Sequence, residues 1–174
     1  MEVTKQQAGQ TFRSLTVPEA PKYLNPTPVA VALVPVHAID PNDGVLKMGL
    51  LVGRRGIEPK LGAFALPGGY IEYEDWRDAV CREVAEETGI KISNPAAVKL
   101  VGVESVAQMK QLVIFGEVDC ISEVDLNSFS ATAECQEIKI IFSPENLAFD
   151  SHNRMVVDFF KRRKTNSETS QKSG

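Results

Sequence analysis

The chain has 174 residues, 43% of them hydrophobic and 24% charged, enough to bury one core but not two. Its formal charge of -4 argues against broad nucleic-acid binding, which needs a basic surface, yet leaves room for a local basic pocket. Three widely spaced cysteines, Cys81, Cys120 and Cys135, form no CxxC pair, which argues against a disulfide framework or zinc site and for reduced thiols.

Residues 1–27 are polar and carry Pro18, Pro21 and Pro26, which reads as an N-terminal arm. No basic stretch followed by an apolar one opens the chain, so we expect a cytoplasmic protein. Val29 to Val36 is the longest apolar run. It contains Pro35, is far too short to span a bilayer, and suits one buried strand. Asp40-Pro-Asn-Asp-Gly44 has turn chemistry, and Val45 to Arg55 reads as the returning strand of a hairpin. Gly56 to Gly62 is a loop, followed by Ala63 to Leu66 and the Pro67-Gly68-Gly69 turn.

The spacing then predicts a helix from about Asp75 to Thr88, with Asp75 as N-cap and Gly89 at the C-terminal stop. Trp76, Val80 and Val84, four residues apart, form its apolar stripe, with Ala79 beside them and Cys81 on the same side. Glu83, Glu86 and Glu87 crowd an adjoining face. Like charges at these spacings destabilise an isolated helix by roughly 0.2–0.5 kcal/mol per pair. A hard divalent cation such as Mg2+, which prefers oxygen ligands and shares carboxylate sites with substrate phosphates, is the simplest compensation.

Val98 to Val106, Gln111 to Val118 and Glu137 to Phe142 read as further strands, and Ser143-Pro-Glu145 as a loop or helical turn. His152 to Lys161 is a terminal helix with Met155, Val156, Phe159 and Phe160 inward. The basic run Lys161 to Lys164 is a solvated helix end, and the rest is a polar tail expected to be disordered. Buried strands with one central and one terminal helix imply a layered α/β fold. We therefore divide the chain into an arm (1–27), one domain (28–163) and a tail (164–174).

The segment from Gly68 to Ile90 resembles the Nudix box, G-x5-E-x7-R-E-U-x-E-E-x-G-U with U aliphatic. Gly68, Glu74, Arg82, Glu83, Val84, Glu86, Glu87, Gly89 and Ile90 meet every fixed position. Gly62-x-Phe64-x-Leu66-Pro67-Gly68-Gly69 looks like the usual lead-in. The loop departs from the common Gly-Gly-x-x-Glu-x-Gly-Glu pattern by lacking the later glycine, so either Gly68 or Gly69 takes the starting role.

The resemblance implies a Nudix α/β/α sandwich around a mixed β-sheet. It also implies a Mg2+- or Mn2+-dependent hydrolase of nucleoside diphosphates linked to another group. Glu83 and Glu87 are then metal ligands, and Glu86 is a third ligand or the base that activates water. Arg82 orients a carboxylate, and Glu74 braces the loop or reaches a metal through water. Family members often draw another carboxylate from downstream, for which Glu134 is the choice and Glu137 the runner-up.

Arg54 and Arg55 are candidate phosphate contacts, as are Gly68 and Gly69 on the box loop. Phe64, Tyr70 and Tyr23 are candidate base-stacking groups, with packing the better reading for Phe64. His37 and His152 have no companion motif and receive ordinary structural roles. Leu66-Pro-Gly-Gly-Tyr-Ile-Glu-Tyr73 and Leu147-Ala-Phe-Asp150 look like short ADP-ribose-cleaving members, whereas Glu104 to Met109 replaces the Ser-Gln-Pro-Trp stretch of NADH pyrophosphatases. ADP-ribose or a related dinucleotide is the expected substrate, yielding a nucleoside monophosphate and a phosphorylated partner. A nucleoside-triphosphate sanitiser and a non-catalytic nucleotide sensor are the alternatives. The expected partner is a nucleotide, not nucleic acid or membrane, and a homodimer is compatible with the sequence.

Overall fold

The computed structural model describes residues 24–122 and 128–171, with side chains described to Thr165. Most of the arm expected over residues 1–27, including Tyr23, lies outside the described residues, as do residues 172–174.

The apolar run after the arm forms two strands rather than one, β1 (Thr27–Leu33) and β2 (Pro35–Ile39). Pro35 has no N–H to continue a ladder, and the chain changes sheets at this point. β1 sits inside a four-stranded mixed sheet of order β5-β1-β7-β6, with β5 (Gly68–Tyr70), β6 (Lys99–Val106) and β7 (Gln111–Glu117). It runs parallel to β7 and antiparallel to β5. β2 pairs with β3 (Leu46–Arg55) in a second sheet, where β3 also pairs with β4 (Phe64–Ala65) and β8 (Cys135–Ile141). Leu51 N–H donates to Val34 O across the gap (3.0 Å), so the two sheets meet at the crossing point.

Alternation along β1 sorts the core into two layers. Val29, Val31 and Leu33 face α2 (Asp150–Gln171) and pack with Phe115, Val156 and Phe159. Ala30, Ala32 and Val34 face α1 (Trp76–Thr88) and pack with Ala79, Val80 and Val84. Helices on both faces of a mixed sheet make this an α/β/α sandwich. The small residues at 30 and 32 let α1 lie close to the sheet, and enlarging either would cost about 1–3 kcal/mol of overpacking.

α1 begins and ends as its residues dictate. The Asp75 carboxylate accepts from Arg77 N–H at 2.9 Å, and Gly89 adopts φ +76°, a left-handed stop that suits glycine. Every cysteine is a free thiol, with Cys81 and Cys135 buried. α2 is longer than the sequence suggests, continuing past Lys161 to Gln171 where a polar tail was expected. Arg162 and Arg163 in its basic run pair with Glu117 on β7 instead of lying free in solvent. No described helix is long and apolar enough to cross a membrane.

Candidate functional site

A cavity of about 860 Å³ opens along the edge where α1, the β4–β5 segment and the start of α2 converge. One wall is acidic. Glu83, Glu86 and Glu87 of α1 line it, together with Glu134 from the entry to β8.

Arg82 organises this wall. Its guanidinium donates to Glu74 Oε1 (2.7 Å from Nη2, 3.0 Å from Nε), Glu83 Oε1 (2.7 Å), Glu86 Oε2 (2.9 Å) and Tyr70 O (2.9 Å). One planar fork thus links the helix to the preceding loop, a job for which an ammonium is the wrong shape. The pairing holds the Glu74 carboxyl below its ordinary range and raises the Arg82 pKa in turn. Glu74 is therefore a brace for Arg82.

Glu83 is buried, and burial pushes its carboxyl upward against the opposing pull of Arg82. Glu87 rises further, to about 8, first by burial and then by the Glu83 charge. The Gly68 backbone hydrogen bond and the Arg55 charge pull it the other way, while Glu134 pushes it up. The carboxylates thus repel one another in a partly desolvated place, the condition a divalent cation relieves. Among the described residues no three His, Cys, Asp or Glu side chains converge closely enough to hold an ion as they stand, one Glu83 oxygen being taken by Arg82. The donor set is hard oxygen throughout, and in that respect the residues fit Mg2+ or Mn2+.

The two glycines of the turn have different tasks. Gly68 gives its backbone to Glu87, and a Cβ there would stand 2.4 Å from Ala30 O on β1. Gly69 lies against the Glu83 carboxylate.

The downstream carboxylates separate as well. Glu134 faces the cavity, and its carbonyl accepts from Gly56 N–H at 2.7 Å. Glu137 points elsewhere and pairs with Arg54 (2.7 Å), its register partner on β3. Arg54 also lies over the Phe64 ring (4.3 Å), and neither Arg54 nor Phe64 lines the cavity. The packing role expected for Phe64 is what its contact with Arg54 shows, while Arg54, a candidate phosphate contact, is engaged by Glu137 and the Phe64 ring outside the cavity. Consecutive strand residues point to opposite faces, so only one arginine of the pair can enter the cavity.

That one is Arg55. Among the described residues it is held by the Pro59 carbonyl (2.8 Å) and the Phe149 ring (5.1 Å) rather than by a carboxylate. Tyr70 lines the cavity rim and is exposed. His152, read from the sequence as an ordinary structural residue, lines the cavity too. No motif marks it; only the folding of α2 beside β4 brings it there.

The sequence profile of the NUDIX domain matches residues 28–160. Solved structures share the fold. A MutT/nudix family protein from Enterococcus faecalis superposes with TM-score 0.66 at 18% identity, over 83% of this chain and 64% of that one. This chain thus spans less than two thirds of that protein's length. The NUDIX domain of Shewanella oneidensis NrtR, solved with ADP ribose, gives TM-score 0.64 at 18% identity, covering 83% of this chain and 94% of that one. A bifunctional NMN adenylyltransferase/ADP ribose pyrophosphatase from Francisella tularensis, complexed with AMP and a Mn ion, gives 0.53 at 22% identity, over 80% and 38%. At these identities the likeness is one of fold.

Proposed function

The chain belongs to the NUDIX family, and from that premise we propose that it hydrolyses the pyrophosphate bond of a nucleoside diphosphate derivative with a divalent cation. The observation that carries this reading is the acidic wall of α1, organised by Arg82, standing in one cavity with Arg55. Glu83, Glu87 and Glu134 would hold the cation. When bound, it supplies charge neutralisation at the phosphates and a lowered pKa for the attacking water.

The chain's own residues do the rest. Arg82 fixes the carboxylates before substrate arrives, so little reorganisation remains at the moment of reaction. Glu86 is exposed and gives only Oε2 to Arg82, which leaves Oε1 free to take the water proton. Arg55 offers its fork to a phosphate oxygen, and the loop around Gly68 and Gly69 carries the amide that steadies Glu87.

ADP-ribose or a related dinucleotide is the favoured substrate. A cavity of about 860 Å³ has room for a nucleotide with a second group attached. Of the solved structures of this fold, one holds ADP ribose and another belongs to a bifunctional protein with ADP ribose pyrophosphatase activity, which supports the choice. The test is a product analysis with ADP-ribose, dinucleotides and nucleoside triphosphates, in Mg2+ and in Mn2+. A monophosphate plus a phosphorylated partner is expected. Monophosphate plus pyrophosphate would move the protein to the triphosphate class. Ligand binding without any turnover would make it a sensor, and full turnover in excess chelator would remove the cation from the mechanism.

A further inference from the structure

His152 sits in the first turn of α2 and is only 6% exposed, yet it lines the cavity. Its Nδ1 accepts from Leu66 N–H at 3.2 Å. An imidazole whose Nδ1 accepts carries its proton on Nε2. Phe115 and Phe149 clasp the ring edge-on, with centroids 5.9 and 5.0 Å away, and fix its plane. Among the described residues no buried side-chain nitrogen or oxygen is left both sealed from solvent and unpaired. Among the described residues Nε2 has no hydrogen-bond partner, so it opens onto the cavity that His152 lines.

The position of that donor is defined by a short segment of chain. Leu66 gives its amide to His152, and two residues later Gly68 gives its backbone to Glu87. Two residues of chain span at most about 7 Å, so the amides that hold the imidazole and Glu87 lie within that distance of each other, and both side chains line the one cavity. Arg55 lines the same cavity as Glu87 and His152 and bears electrostatically on both.

We propose that His152 is a substrate-binding residue whose Nε2–H donates to a pyrophosphate oxygen on the side away from the acidic wall, next to Arg55. The inference rests on the pyrophosphate reading given above. Burial and the Arg55 charge keep the ring neutral, with its pKa lowered to about 3, so it serves as a fixed donor and not as an acid or base. Charge comes from Arg55 and direction from His152. A nucleobase slot is the competing use of this wall, and the test separates the two.

The full-length protein, His152→Asn and His152→Gln are titrated with methylenediphosphonate in Mg2+ buffer and, separately, with adenosine. Asn keeps an acceptor for Leu66 N–H but withdraws the cavity donor, whereas the longer Gln amide restores a donor near Nε2. Binding of methylenediphosphonate should weaken about tenfold in His152→Asn and recover in His152→Gln, with adenosine binding unchanged. Equal affinity in all three proteins, equal loss in both variants, or no binding by the wild type would overturn the proposal. A loss confined to adenosine would overturn it too, assigning His152 to the nucleoside. His152-dependent methylenediphosphonate binding in a protein that turns over no nucleotide would leave this inference standing and remove the hydrolase reading. Turnover unaffected by His152→Asn would do the reverse.

Discussion

A Cβ placed on Gly69 would stand 2.5 Å from Oε1 of Glu83 and 2.7 Å from its Cδ. The absent side chain at 69 is therefore what lets the Glu83 carboxylate lie against the turn. Gly69→Ala should displace that carboxylate and lower kcat/KM on the order of 10²-fold, the scale of a misplacement of about 1 Å at a reacting centre. Steady-state kinetics and a melting curve are the measurements. Wild-type kinetics in the variant would show that the contact carries no functional weight.

Arg82 has four partners, and one of them, Glu83, is buried. Arg82→Ala leaves that carboxylate unpaired and should cost about 3 kcal/mol, the lower end for breaking a buried pair, since Arg82 is itself partly exposed. Arg82→Lys should recover little, because one ammonium cannot hold Glu74, Glu83, Glu86 and the Tyr70 carbonyl together. Urea denaturation decides between these outcomes, and full stability in the Lys variant would refute the fork argument.

Glu134→Gln should lower kcat more than it raises KM, while Glu137→Gln behaves nearly like wild type. The reason is orientation: Glu134 enters the cavity and Glu137 pairs with Arg54. Gly56→Ala should reproduce the Glu134 defect, because a Cβ at 56 would lie 2.1 Å from Ala133 O and push the Glu134 backbone away. A defect in Glu137→Gln alone would reverse the assignment.

The neutral state of His152 has a thermodynamic signature. Its pKa falls to about 3 in the fold, below the ordinary histidine value near 6.5. Between those values the unfolded chain binds more protons than the native one, so stability rises with pH across that window. It is lost as pH falls from about 6.5 toward 3. His152→Asn should flatten this part of the stability–pH curve, measured as urea midpoints from pH 4 to 7. An unchanged slope would mean the imidazole is charged in the fold.

The helix of the acidic wall was legible because its signals are local. Asp75, the apolar stripe and Gly89 lie within a few turns of one another, and each acts on its own backbone. The break at Val34-Pro35 was less visible, since an apolar run looks alike whether it serves one sheet or two. Choosing between Arg54 and Arg55, or Glu134 and Glu137, requires strand register, and the pairing of β3 with β8 joins residues far apart in sequence. His152 was illegible for the same reason. Its chemistry depends on Leu66 and Arg55, which approach it only in the folded chain.

The parallel pairing of β1 with β7 bears on how the molecule is made. Val29 is paired with Val113 and Leu33 with Glu117, so β1 lacks one neighbour until the chain has grown past both hairpins. The β2–β3 and β6–β7 pairs join segments close in sequence, whereas β1 must close a long loop to β5 and a longer one to β7. On refolding, amides of the two hairpins should resist hydrogen exchange first and those of β1 last, with pulse labelling as the check. A nascent chain that stops before Gln111 would present α1 with its crowded glutamates and no finished sheet beneath them. The α1 glutamates would then stand on a finished sheet only after β7, made later than the helix itself, has joined β1.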